Sequence, residues 1–341
     1  MRKAFDAVFD VPDGYLNTAS IGIPPAEAVR EVSEAVQRWG SGRSGPGDFD
    51  EHVATARDAF ARLVGVSPDR VAIGASASQV IGLVAASVPD GARVLVARGD
   101  FTSVLFPFAA QADRGVTVTE VELDEIGDHA PEFDVVAVSA VQSMDGRIAD
   151  FEALELAKRE HGTRVLFDVT QAAGWMPLRL DWADWVAAAG YKWLMAPRGS
   201  AWLAVHPDAP RPVPHSANWY AAEDPWDATY GLPLRLAGDA RGLDLSPVWL
   251  AQVGAAASMT WLACRDLAEI AAHCTGLADG FRAELGLPPA GSAIVSLARP
   301  DAVAKLTEAG IACAGRGGRT RVSFHLYNTA EDVERAVRAL L

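Results

Sequence analysis

Short, largely continuous apolar runs recur along the first two-thirds of the chain, separated by segments with helical spacing. The runs are Val71 to Gly74, Arg93 to Ala97, Val116 to Leu123, Val135 to Val138, Arg164 to Phe167, Val186 to Ala189 and Ala201 to Val205. Strands apolar at consecutive positions bury both faces, which happens when helices cover both sides of a mostly parallel sheet. The intervening stretches 24–39, 49–64, 76–87, 103–111 and 151–159 supply those helices, the first opening on a Pro-Pro pair that suits a helix start. The expectation is an α/β fold. In such sheets ligands bind beyond the carboxyl ends of the strands, so the residues just after each strand carry the functional question.

From about Pro207 to Asp244 the pattern breaks into a stretch rich in Pro, Trp, Asp and Gly, with Trp219, Tyr220, Trp226 and Tyr230. It reads as a long ordered loop region, and such loops tend to be functional. Ser246 is expected to begin a helix with Pro247 at its first position. A further helix, a strand at Ile294 to Leu297, a helix, a strand at Arg321 to Phe324 and a closing helix then make a small α+β domain. The 341 residues divide into a large domain, 1–245, and a small one, 246–341, with residues 1–25 packing on the small domain.

A net charge of −14 argues against nucleic acid or an anionic membrane as partner, because phosphates are met by clustered Lys and Arg. No apolar stretch has the length of a signal or of a membrane span. The three cysteines show no CxxC spacing, and the seven histidines form no pair at ligand spacing. A reduced, cytoplasmic protein without a metal is expected.

Lys192 lies in Gly190-Tyr191-Lys192-Trp193-Leu194. A cationic lysine buried there loses hydration, and a Schiff base removes that penalty while using the amine as a nucleophile. The alternative is a lysine that snorkels to the surface. Asp168 ends the strand that begins at Arg164, at the edge where ligands sit. A carboxylate there could keep the ring nitrogen of pyridoxal phosphate protonated, or simply cap a turn. Gln171, three residues on, can donate to that cofactor's phenolate oxygen. Gly74-Ala75-Ser76-Ala77-Ser78 joins a strand to a helix, where backbone N–H groups and hydroxyls bind phosphate, or where Ser76 is an ordinary N-cap. Arg321 could pair with a substrate carboxylate or form a structural ion pair, and Arg316 and Arg319 compete for that role.

These motifs resemble the class V aminotransferases, a family of fold-type I pyridoxal-phosphate enzymes that includes cysteine desulfurases, kynureninases and isopenicillin-N-epimerase-like proteins. The likeness runs from Tyr15-Leu16-Asn17 to the closing helix. It is most specific in Asp168-Val169-Thr170-Gln171, the Lys192 segment, Arg321-Val322-Ser323 and Tyr327-Asn328-Thr329. It implies that Lys192 bonds the cofactor and moves protons at the substrate α-carbon. Asp168 would meet the pyridine nitrogen, while Gln171 and Ser143 would lie near the phenolate oxygen. Ser76, the backbone of Ala77 and Tyr191 would hold phosphate, and Phe101 would stack on the ring. Arg321 and Asn17 would contact an amino-acid substrate, and Ser246 would reach the phosphate of a second subunit in a homodimer. The sequence departs from the family in having Tyr191 where His is frequent, Ala189 where a phosphate-binding Ser is frequent, and a short small domain.

A shared first step, removal of the α-proton, leads to transamination, to loss of a β-substituent as in a C–S lyase, or to epimerisation. Trp219, Tyr220 and Trp226 are candidates for a specificity wall. Desulfurase chemistry would need a mobile thiolate, and Cys313 sits in an apolar run that suits a buried, inert thiol. A non-catalytic cofactor-binding dimer is the remaining alternative.

Overall fold

The computed structural model describes residues 1–299 and 301–341. Strands β1 (Arg2–Ala4) and β2 (Ala7–Phe9) form an antiparallel hairpin ahead of helices α1 (Ala26–Gly40) and α2 (Asp50–Val64). Then β3 (Val71–Gly74), α3 (Ala77–Ala85), β4 (Arg93–Ala97), α4 (Thr102–Ala109), β5 (Thr117–Val121), α5 (Ile126–His129) and β6 (Val135–Ser139) alternate. Helix α6 (Phe151–His161), β7 (Arg164–Asp168), β8 (Trp185–Ala189) and β9 (Ala201–Val205) complete the sheet.

The seven strands lie in the order β3-β9-β8-β7-β6-β4-β5. Strands β5, β4, β6, β7 and β8 are mutually parallel, and β9 runs antiparallel to both β8 and β3. The carboxyl ends of β3, β4, β6, β7 and β8 therefore share one edge. At that edge Ala201, opening β9, pairs with Gly74 on one side and Ala189 on the other. Every residue of β3, β6 and β8 is buried, as their continuous apolarity requires. The fold class expected from the sequence is the one observed.

Beyond the sheet come α7 (Trp249–Ala263), α8 (Leu267–Glu284), β10 (Ile294–Leu297), α9 (Ala302–Glu308), β11 (Ala314–Arg316), β12 (Arg319–Ser323) and α10 (Ala330–Leu340). Strands β10, β12 and β11 make a small antiparallel sheet. Its own apolar core joins Phe281, Val295, Leu306, Val322, Phe324 and Val337 to Leu16 of the N-terminal segment. That segment is tied down further. Arg2 and the Gly14 amide bind the buried Asp332 of α10, and the Leu16 amide donates to the Ala312 carbonyl at 3.0 Å.

Two expectations need correction. The helix expected at Ser246 begins at Trp249, with Val248 as its N-cap, because the Leu245 amide is engaged by the Ile73 carbonyl and holds the chain extended. Helix α7 packs on α1 and α2, and one apolar core joins its Met259 and Leu262 to the large sheet and to Ile270 of α8 and Ile294 of β10. The strand expected to end at Phe324 runs from Arg319 to Ser323 and has a partner, β11, that the sequence reading did not find. Among the described residues, no helix is long and apolar enough to cross a membrane.

Candidate active site

Loops leaving the shared sheet edge enclose a cavity of about 250 Å³. From β3 come Ser76, Ala77 and Ser78; after β4, Phe101; after β6, Ser143; from β7, Asp168, Thr170 and Gln171; after β8, Tyr191 and Lys192. The strand-end rule thus gathers seven of the expected residues and the Ala77 backbone in one place.

Lys192 is only 5% exposed, the one buried lysine of the four in the chain. Its Nζ lies 5.2 Å from the centre of the Phe101 ring and 5.7 Å from that of Tyr191. Burial lowers its pKa to about 8, against the pull of Asp168 and helped by Arg321, Arg316 and Arg198. The snorkelling alternative is therefore not what the structure adopts. An amine near pH 8 is a far better nucleophile at neutral pH than an ordinary lysine.

Asp168 is also buried and accepts from the Thr170 amide at 2.8 Å. Desolvation pushes its pKa up, while hydrogen bonds from Thr170 and the charge of Lys192 oppose the shift. Asp100, just past β4, is a second buried carboxylate. It accepts from the Phe101 amide at 2.6 Å, the Ser139 amide at 2.7 Å and the Ser139 hydroxyl at 2.5 Å, and from Gln142 at 3.1 Å. It thereby fixes the main chain of Phe101 against the end of β6. Sequence reasoning missed Asp100, although an acid directly after a strand is the signal that drew attention to Asp168.

Ser76 caps α3, its Oγ accepting from the Gln79 amide at 3.3 Å. The first turn of α3 opens onto the cavity and favours negative charge. Arg198, also unforeseen, adds a guanidinium at the cavity, its Cζ 5.1 Å from the Tyr191 ring centre. Gln171 is held on three sides. Its Nε2 donates to the Ala19 carbonyl and the Ser143 hydroxyl, each at 3.0 Å, and its Oε1 accepts from Trp193 Nε1 at 2.7 Å.

Arg321, on β12, crosses from the small sheet to this edge. It is 1% exposed and donates to the carbonyl of Ser143 at 2.5 Å, to its hydroxyl at 3.1 Å and to the Ser20 hydroxyl at 2.8 Å. Among the described residues no carboxylate pairs with it, which removes the structural ion-pair alternative. Burial, with Arg316 nearby, lowers its pKa to about 10. Arg319 is spent on Ser296.

Three expected residues do not line the cavity: Arg321, which meets its wall through Ser143, and Ser246 and Asn17. Ser246 is exposed and does not line it. Asn17 is half-buried, with an Oδ1 lacking any hydrogen-bond partner, three residues before Ser20. Nor do Trp219, Tyr220 and Trp226 line the cavity. They cluster on one another, with ring centres 5.2–5.4 Å apart. The loop carrying them is anchored by the buried Arg57–Asp244 pair, and Asp244 also accepts from the Ile73 amide at 2.8 Å. The Cys313 thiol is half-buried, and burial pushes its pKa up, the opposite of activation.

The lysine turn is packed backbone to backbone. Gly22 donates to the Tyr191 carbonyl at 2.9 Å, and a Cβ on Gly22 would fall 1.8 Å from the Lys192 carbonyl oxygen. Gly22→Ala must therefore displace the Lys192 peptide. It is expected to lower stability by about 1–3 kcal/mol, the usual range for forced overpacking. It should also weaken cofactor retention, checked by thermal unfolding and by absorbance after gel filtration.

The donor set fits pyridoxal phosphate. A hydroxyl-bearing helix start and Arg198 suit its phosphate, a buried amine suits its aldehyde, and a buried carboxylate suits its ring nitrogen.

Comparison with known proteins agrees with this reading. The uncharacterized aminotransferase YcbU of Bacillus subtilis (strain 168) is 27% identical, over 84% of this chain and 82% of its own. The kynureninase of Xanthomonas euvesicatoria pv. vesicatoria (strain 85-10) is 28% identical over 61% of this chain, and the match spans 57% of that enzyme's length. Among solved structures, the cystine C–S lyase C-DES, in complex with cysteine persulfide, superposes with a TM-score of 0.85 over 97% of each chain. At 20% identity that likeness concerns the fold. The family model for aminotransferase class-V matches residues 26–221, more than half of the 341, and the chain belongs to the class V aminotransferase family.

Proposed function

We propose that Lys192 bonds pyridoxal phosphate, the cofactor of this family, and moves the α-proton of an amino-acid substrate in a transamination. The observation that carries this is the cavity itself. It holds a buried amine of lowered pKa and a buried carboxylate, with a buried guanidinium beside it that has no carboxylate partner among the described residues.

When bound, the cofactor supplies an electron sink for the α-carbon. The chain does the rest. Arg321 binds the substrate carboxylate and so orients the α-carbon. Lys192 takes a proton from that carbon and delivers it to a neighbouring one, a role its pKa near neutrality suits. Asp168 would hold a proton at the ring nitrogen. Phe101 would lie against the ring, and Ser76, the Ala77 amide, Tyr191 and Arg198 would hold the phosphate. Gln171 and Ser143 are fixed by Trp193 and Arg321, so they present a rigid polar wall to the phenolate side. The raised pKa of the Cys313 thiol disfavours a persulfide route.

The reading extends to a cytoplasmic homodimer. Ser246 is exposed and outside its own chain's cavity, which leaves it free for a neighbour's phosphate. Exposed Trp39, Trp226, Tyr230 and Leu232 offer apolar surface for that contact. The separate core around Phe281 and Val322 supports a small C-terminal domain within residues 246–341.

A single-turnover experiment tests the reaction class. Loaded protein is mixed with a panel of amino acids and no acceptor. Transamination converts the cofactor to its amine form, and adding a 2-oxo acid restores the original spectrum. Release of ammonia, pyruvate or sulfide with the cofactor unchanged would mean β-elimination instead.

A further inference from the structure

The turn after Lys192 is held in an unfavourable shape. Met195, buried and not glycine, has φ of 54°, in the left-handed region that costs β-carbon-bearing residues energy. Such a conformation persists only where surroundings impose it. Here the Ser258 hydroxyl on α7 donates to the Met195 carbonyl at 3.0 Å, and the Trp193 indole donates to Gln171. Gly174, with φ of 110°, lies so close to the Trp193 carbonyl that a Cβ there would be 2.5 Å from its oxygen.

The Trp193 carbonyl oxygen has one further partner, the ring of His325, which is fully buried, with Nε2 at 3.1 Å. A carbonyl can only accept, so Nε2 carries the hydrogen and Nδ1 faces the Cys274 thiol at 4.0 Å. The ring stands edge-on to Trp193, with centres 5.1 Å apart, and to Tyr327 at 5.3 Å. Its main chain is locked too, since the His325 amide donates to Asn328 Oδ1 at 2.8 Å, and Asn328 Nδ2 reaches the Tyr15 carbonyl. His325 follows Arg321 by four residues on the same segment.

We propose that His325 is a positioning residue for Lys192: its neutral Nε2–H tautomer clamps the Trp193 carbonyl and links the lysine turn to the strand that carries Arg321. The inference rests on the role proposed for Lys192. Burial, with His273 nearby, lowers the His325 pKa to about 3, so the clamp stays neutral over the working pH range. The charged groups that act on the Lys192 amine are Asp168, Arg321, Arg316 and Arg198, and His325 is not among them. It acts through the backbone, by keeping the amine desolvated.

The test compares His325→Met, which removes the donor, with His325→Gln, whose amide can still donate. In protein without cofactor, the Lys192 amine is titrated by competitive acetylation, read peptide by peptide in a chain of four lysines. In His325→Met, the Lys192 midpoint should rise by about one unit toward an ordinary lysine, because a looser turn rehydrates the amine. Schiff-base formation with added pyridoxal phosphate should slow about tenfold at neutral pH, the share of free amine lost per unit. His325→Gln should recover most of both. If His325→Met lowers the melting temperature but leaves the titration and the rate at wild-type values, the ring is packing only and the proposal is wrong. Equal values for Met and Gln variants would also overturn it. Failure of wild-type protein to form any Schiff base at Lys192 would count against the proposed function, while the acetylation midpoints still decide the role of His325.

Discussion

Lys192→Ala is expected to eliminate covalent retention of the cofactor and to lower turnover by at least about 10²–10⁴-fold, the range for losing a positioned acid–base group. The loss should exceed that range, because the same amine is proposed to bond the cofactor. The absorption band of the Schiff base should vanish, and borohydride should fix cofactor to wild type but not to the variant. Folding should survive. The amine buries a charge that water would hold better, so its removal relieves that cost, and Asp168, which loses a neighbouring positive charge, keeps its hydrogen bond from Thr170. Lys158→Ala serves as the control, because Lys158 pairs with the buried Asp184 and lies outside the cavity. A Schiff-base band retained in Lys192→Ala would mean that another of the four lysines carries the cofactor. A band absent from wild type would favour a protein that keeps the fold without the chemistry.

Arg321→Met is expected to raise the KM for an amino-acid substrate about 10²-fold or more while leaving cofactor binding in place. Truncating one member of a buried, hydrogen-bonded charge pair costs about 2–5 kcal/mol, and each ~1.4 kcal/mol is a factor of ten. The pair exists only with substrate present. In the free protein the guanidinium has no carboxylate partner among the described residues and makes three hydrogen bonds to Ser143 and Ser20. Its removal relieves a buried charge and takes a donor from the Ser143 carbonyl, while the Ser143 hydroxyl keeps Gln171 and the Ser20 hydroxyl keeps Arg316, effects of opposite sign and similar size. The unfolding free energy should therefore move by only about 1 kcal/mol either way, net of those two effects. Arg319→Met, two residues away, should leave KM unchanged. Steady-state kinetics and thermal unfolding on both variants separate these outcomes. An Arg321→Met protein that unfolds early but binds substrate normally would show a structural guanidinium instead.

Much of this site could be read from order along the chain. Continuous apolarity implied a sheet covered on both faces, and that placed Ser76, Asp168 and Lys192 at one edge. The same rule, applied after Ala97, would have added Asp100. Arg198 carried no such signal, since it follows a proline in a loop and reaches the cavity only because the turn brings it over Tyr191. The hairpin Arg2–Phe9 and strand Ala314–Arg316 are three-residue elements, too short for a periodic pattern. The tryptophan-rich loop was legible as ordered, but not as lying outside the cavity, since its end is tied down by an ion pair between distant residues, Arg57 and Asp244.

Local patterns settled the layer architecture, the shared strand edge and the residue types that chemistry at that edge requires, since burial periodicity and strand ends are properties of short segments. Contacts between segments, many of them distant along the chain, decided what those residues can do. Lys192 has a lowered pKa because Phe101, Tyr191 and the arginines surround it. Arg321 has no carboxylate partner among the described residues because the strand places it against Ser143 and Ser20. The lysine turn keeps its shape because Gly22, Gly174 and His325 close on it from three parts of the chain. Desolvation and backbone packing depend on what surrounds a group in space, and only the assembled fold supplies those neighbours.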